Sequence, residues 1–343
     1  LAHFLVILPL APVALPQAPA GIACNLLRSE DLRRAGLEAL RGGRYSAAAT
    51  AFQQALDACP SQHFILLQLS EAELHLKDFP GAIRSAQRLL ELEPTSTDGR
   101  LSLANAYFMA QRPQDALREA ETVLKSDPTQ AEALKLKGNI EYLSGNLDSA
   151  MTTFVTLLDK HPQDEQGPYM LGRIYYQEGR IDHATGQFQR VLKINPKSYR
   201  AYDNLGLCYQ SLGDTELATR YFLTAIKLVD TDHPEYDWAY ANLASLLLDT
   251  GDTEKAFGFA SRAANRNPDS ARNFYLGGKA LSKLGKNELS VNWLERAVAL
   301  DPKYPEPLYL LGRVYSQLGQ EEKAKAALEK FQTLKKTAPR QRK

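Results

Sequence analysis

Residues 165–196 read EQGPYMLGRIYYQEGRIDHATGQFQRVLKINP, and their spacing decides the fold. Leu171 and Tyr175 are four apart and Phe188 and Val191 three apart, so each pair lies on one face of a helix. Gly172 and Ala184 are small, as two helices of a hairpin require where they approach closely. A larger side chain there would overpack the contact at a cost of about 1–3 kcal/mol. Gly179 sits where the first helix must stop, and glycine takes the left-handed conformation that closes a helix C-terminus. Pro196 ends the second helix, because the residue before proline disfavours the α conformation.

The same punctuation recurs along the chain. Pro60, Pro94, Pro128, Pro162, Pro196, Pro234, Pro268 and Pro302 are separated by 34, 34, 34, 34, 38, 34 and 34 residues. A fixed period of this length marks a solenoid of helix pairs. One small position recurs as Gly36, Ser70, Ala104, Gly138, Gly172, Gly206, Ala244, Gly278 and Gly312. A second recurs as Ala48, Ala82, Ala116, Ala150, Ala184, Ala218, Ala256, Ser290 and Ala324. The turn glycine recurs at 43, 145, 179, 213, 251, 285 and 319, with Lys77 and Gln111 in its place in the second and third units. Asp214 and Asp252 follow it and can cap the second helix. The sixth unit carries four extra residues around Val229-Asp230-Thr231-Asp232-His233, expected to lengthen the loop between repeats, with a ligand-gripping loop as the alternative.

Gly172-x-x-Tyr175 with Ala184, Phe188 and Pro196, repeated as Gly206, Tyr209, Ala218 and Phe222, resembles the tetratricopeptide pattern. The resemblance implies an all-α fold: a right-handed α-solenoid superhelix of about nine tandem helix-turn-helix repeats of ~34 residues. The repeats fall near 29–62, 63–96, 97–130, 131–164, 165–198, 199–236, 237–270, 271–304 and 305–338. In this frame Tyr175 and Tyr209 hold packing positions, and the charged helix from Glu321 to Lys335 keeps the last outer face wet. Residues 339–343 read as a basic tail.

Composition narrows the function. Forty-one Lys and Arg balance 40 Asp and Glu, which gives no electrostatic case for nucleic acid as the partner. The three cysteines, Cys24, Cys59 and Cys208, form no CxxC or Cys/His cluster, so no metal site is expected. No disulfide is expected between Cys59 and Cys208, which belong to distant repeats. The six histidines lack partners at i+4. There is no GxSxG, P-loop, HExxH or paired-carboxylate motif, so neither an enzyme nor a cofactor is expected.

Residues 1–23 break the period. Phe4-Leu5-Val6-Ile7-Leu8 opens an apolar run that reaches Leu15 through Pro9 and Pro12, and small residues follow it. This is the layout of an export signal, with an apolar N-terminal extension as the alternative. The run is too short for a span of ~20 apolar residues. Gly21-Ile22-Ala23-Cys24 resembles a lipoprotein processing box, which makes Cys24 a candidate for lipid attachment. The expected location is outside the cytoplasm, the periplasm included, with the cytoplasm as the alternative.

The resemblance also implies a binding face. In this family the second, fifth, sixth, ninth and twelfth positions of each unit line the concave groove of the superhelix. Carried over by position, these are Asn105, Lys135, Asn139, Tyr142, Tyr169, Arg173 and Tyr176. Later units add Asp203, Trp238, Tyr275, Lys279, Tyr309 and Arg313. Tyr with Arg and Asn is a composition suited to protein contact. Lys135 and Asn139 also begin the clamp with which chaperone-binding members hold a C-terminal carboxylate, but Met170 and Asn204 stand where that clamp needs Asn and a basic residue. The implied function is a non-catalytic scaffold binding a peptide or protein segment. The alternatives are an exported or lipid-anchored accessory factor in envelope assembly, or a regulatory subunit of an enzyme complex.

Overall fold

The recurring Gly and Pro positions punctuate the backbone where the period places them. The computed structural model describes residues 24–337. The apolar N-terminal run and the predicted basic tail lie outside the described residues. Among the described residues every regular element is an α-helix, and there are eighteen.

The described residues form two compact units that divide between Ser144 and Gly145. The division falls inside the fourth predicted repeat. In the first unit the helices are α1 (Leu26–Arg41), α2 (Tyr45–Ala58), α3 (Ile65–His75), α4 (Phe79–Leu92), α5 (Thr97–Met109), α6 (Pro113–Ser126) and α7 (Ala131–Leu143). The second unit begins with α8 (Leu147–Lys160), α9 (Gln166–Gln177), α10 (Ile181–Ile194), α11 (Tyr199–Ser211), α12 (Thr215–Asp232) and α13 (Trp238–Thr250). It ends with α14 (Thr253–Arg266), α15 (Ala271–Lys283), α16 (Asn287–Leu300), α17 (Pro305–Gln317) and α18 (Glu321–Thr337). From α2 to α16, each even-numbered helix stops two residues before its repeat proline.

The turn position behaves as one conformation irrespective of residue type. Seven glycines there have positive φ, from Gly43 at 69° to Gly251 at 91°. Lys77 and Gln111 take the same left-handed turn at φ 61° and 58°. The hairpins close on the small positions. A Cβ on Gly172 would stand 2.7 Å from the Phe188 ring, and one on Gly206 2.4 Å from the Phe222 ring. Where serine replaces the small residue, its hydroxyl crosses the hairpin. Ser70 donates to the Ala82 carbonyl at 3.1 Å, and Ser290 to the Gly278 carbonyl at 2.8 Å.

Three expectations change, and one bond is new. The four extra residues of the sixth unit form no longer loop; they extend α12 by about one turn. That turn is fastened by Arg266, whose Nη2 lies 2.7 Å from Asp230 Oδ1 and whose Nη1 donates to the carbonyls of His233 and Pro234. Tyr240 also donates to Asp230. Asp214 caps α12 through the Leu217 N–H at 2.9 Å, whereas Asp252, at the N-cap of α14, makes no side-chain cap hydrogen bond and instead accepts from Lys255 Nζ at 2.6 Å. Tyr175 and Tyr209 are half-buried rather than core: Arg180 lies over the Tyr175 ring at 4.4 Å, and Tyr209 stacks on Tyr221 at 5.2 Å. Finally, Cys24 is bonded to Cys59, with Cα atoms 4.2 Å apart, while Cys208 is free and buried.

Candidate functional site

Within each unit the odd-numbered helices form a contiguous row. Consecutive odd helices touch: α1 with α3, α3 with α5 and α5 with α7 in the first unit. In the second they are α9 with α11, α11 with α13, α13 with α15 and α15 with α17. No two consecutive even helices touch within a unit among the described residues. The odd helices are therefore the more closely spaced row, and their free faces form a continuous side of each unit.

Of the predicted groove residues in the first unit, Asn105 is exposed on α5, and Lys135, Asn139 and Tyr142 are half-buried on α7. Lys135 Nζ donates to Glu132 at 2.9 Å. In the second unit Tyr169, Arg173 and Tyr176 are half-buried on α9. Tyr169 sets its ring edge-on to Phe188 at 5.9 Å, so it is partly a packing residue. Tyr176 Oη lies 3.3 Å from Ser211 Oγ on the neighbouring α11. Trp238 is 57% exposed and Tyr309 46% exposed. Tyr275 and Lys279 are half-buried on α15, and Arg313 is exposed on α17. Tyr275 packs edge-on to Tyr304, and Tyr309 meets Phe331 at 5.2 Å. Met170, at the clamp position that calls for Asn, is buried.

Asp203 has a different place from the one expected. It is 3% exposed and lies beneath the face. The Tyr236 hydroxyl donates to Oδ2 at 2.7 Å and Asn242 Nδ2 donates to Oδ1 at 2.8 Å. Arg272 Nη2 then donates to Asn242 Oδ1 at 2.8 Å, and its guanidinium lies 5.5 Å from the Trp238 ring. A second tie runs from Asn273 Nδ2 to Asp237 Oδ2 at 2.5 Å. Burial pushes the Asp203 carboxyl up to about 6, against the Tyr236 and Asn242 hydrogen bonds and the Arg272 charge, which pull it down. Burial likewise pushes the Tyr236 hydroxyl upward, with the Asp203 charge adding to it.

Sequence reasoning missed Asn242 and Arg272. They hold the sixth and second positions of their repeats, so the register that selected Trp238 and Lys279 also selects them. Their pairing is invisible in a single repeat, because the partners are 39 and 30 residues away.

Among the described residues no group of His, Cys, Asp and Glu is arranged to hold a metal ion. No described helix is long and apolar enough to cross a membrane.

Family models described as tetratricopeptide repeat or TPR repeat match residues 33–97, 73–140, 172–213, 198–269, 278–319 and 305–337. No curated protein matches the chain. Among solved structures, the APC/C hetero-tetramer Cut9-Hcn1 is similar, with TM-score 0.65 and 16% identity over 84% of this chain. The match spans 56% of that protein's length. A tetratricopeptide repeat protein from Parabacteroides merdae matches with TM-score 0.58 and 19% identity, over 79% of this chain and 98% of its own. Pseudomonas aeruginosa pilF matches with TM-score 0.53 and 17% identity, over 62% and 94%. At these identities the likeness is one of fold.

Proposed function

Because the chain belongs to the tetratricopeptide repeat family, a family of protein-interaction scaffolds, we propose that it holds an extended segment of another protein along the odd-helix face, without catalysing a reaction on it. The observation that carries this reading is the row of touching odd helices with Trp238, Tyr309 and Arg313 exposed on it. Aromatic and Arg side chains supply most of the energy in protein contacts. A ten-residue extended peptide reaches about 33 Å, enough to cross several repeats.

Photo-crosslinking tests the face directly. A crosslinker at 238 or 309 should capture peptides of one partner, while one at Leu289, exposed on the even helix α16, should not. Equal labelling from both faces would sink the assignment.

A second reading concerns location. The apolar run at 4–15 supports export, and the Cys24–Cys59 bond supports it independently, since such bonds persist in oxidising compartments. Fractionation of the native cell checks it: recovery of the whole pool in the cytosol would reject export.

A further inference from the structure

α1 and α2 form the first described hairpin. In α3 and α5 the helix is braced by the second helix of the preceding hairpin, α2 and α4 respectively. The described neighbours of α1 are α2 and α3 only. Its first turn has no acidic side chain to offset the helix dipole, and Leu26 and Leu27 are 56% and 83% exposed. By its own chemistry this end would fray.

Instead it is tied to the end of α2. The Asn25 N–H donates to the Ala58 carbonyl at 2.8 Å, while the Asn25 side chain caps the Arg28 N–H at 3.1 Å. Ser29, fully buried, donates its hydroxyl to the Ala55 carbonyl at 2.8 Å. The last tie is covalent: Cys24 is bonded to Cys59, the fully buried residue that ends α2.

We propose that this cystine is the mature chemical state of Cys24, that it pins the start of α1 to the end of α2, and that Cys24 is therefore not a lipid-attachment site. The two fates exclude each other. Divalent sulfur bonded to its own Cβ and to the Cys59 sulfur has no valence for a thioether. Formation is balanced by an external disulfide, protein or small-molecule. Each cysteine thiol gives up one proton and one electron, one S–S bond forms, and the external disulfide is cleaved to two thiols. The third cysteine takes no part: Cys208 is buried and its thiol is pushed up to about 11 by burial, so it stays protonated and shielded in the folded chain. The proposal does not depend on what the odd-helix face binds.

The test counts thiols on the full chain, first refolded in a glutathione redox buffer. Alkylation under denaturing conditions without reductant should add one group, mapped to Cys208, and with reductant three groups. On reduction, amides of α1 should exchange on the order of 100-fold faster while those of α13–α16 are unchanged. Cys24→Ser should reproduce the reduced pattern, and Cys208→Ser should not. Cys24 is exposed, so this variant carries the test if Cys59→Ser does not fold. Three groups added without reductant, stable glutathione adducts on both cysteines, or unchanged exchange in α1 would overturn the proposal. So would an acyl mass on Cys24 in chain taken from its native source. Export is judged separately by fractionation, so failure of one leaves the other standing.

Discussion

At the scale of single residues, the turn position separates conformation from side-chain identity. Lys77 and Gln111 hold a left-handed backbone that glycine occupies elsewhere. For an L-residue this costs roughly 1–2 kcal/mol. Lys77→Gly and Gln111→Gly should each raise the unfolding free energy by about 1 kcal/mol, measured by urea denaturation, after the entropy of the added glycine is set against the relief. The small positions predict the opposite sign. Gly206→Ala drives a Cβ into the Phe222 ring and should destabilise by about 1–3 kcal/mol. Gly186→Ala, on α10 with nothing within 4 Å of the added carbon, should stabilise by up to about 1 kcal/mol.

Asp203 predicts a pH dependence. Its folded value, about 6, lies above the ordinary 3.8, so folding takes up a proton between those limits. Its contribution to stability is present below about pH 4 and is lost as pH rises through 6. Asp203→Asn should flatten that window by about 1–3 kcal/mol relative to the parent, read as the difference between urea midpoints at pH 4.5 and 7. An unchanged difference would show that the carboxyl titrates normally.

At the scale of elements, punctuation was legible and lateral pairing was not. Helix ends, left-handed turns and small contacts follow from Gly, Pro and Ala at fixed intervals, because each acts on its own backbone or within its own hairpin. The wet outer side of the last helix was equally readable: Glu321, Glu322, Lys323, Lys325, Glu329 and Lys330 are exposed while Ala324 and Ala327 are buried. The extra residues of the sixth unit misled because polar Asp and Thr suggest a loop. Four residues are close to one helical turn, so α12 could lengthen without rotating its buried face. Asp230 at that turn then meets Arg266 at 2.7 Å and Arg262 at 3.5 Å. Arg266→Ala should cost about 1–3 kcal/mol, since it leaves Asp230 and two carbonyls without this donor. Denaturant unfolding of the variant checks it.

At the scale of the molecule, stability should grade within each unit, as it does when every repeat leans only on its neighbours. In the second unit the largest buried cluster joins α12 to α15, and the Asp203–Asn242–Arg272 ties cross the same repeats. Amides in α13–α15 should therefore exchange most slowly and those of α18 fastest. A uniform exchange rate along the unit would contradict this. Exposure was legible by register for Trp238, Tyr309 and Arg313, because register fixes direction on a helix. It failed at Asp203, because whether a polar side chain points outward or is roofed over depends on what the next repeat places above it. The Cys24–Cys59 bond was unreadable for a related reason: Cys24 lies before the first period, where no register applies.

The extra turn of α12 has a further consequence for how the chain avoids misfolding. Hairpins built to one pattern can pair with the wrong neighbour, a hazard of arrays made from similar units. Helix α12 is 18 residues long against 14 for α10 and α14, and the acid near its end faces Arg262 and Arg266 of α14. Slipping by one repeat would set that turn against α16, which has Arg296 where α14 has Arg262 but Leu300 where α14 has Arg266. The four residues thus favour the native neighbour through the Arg266 ties, which hold the correct assembly and have no counterpart at Leu300 in the shifted one.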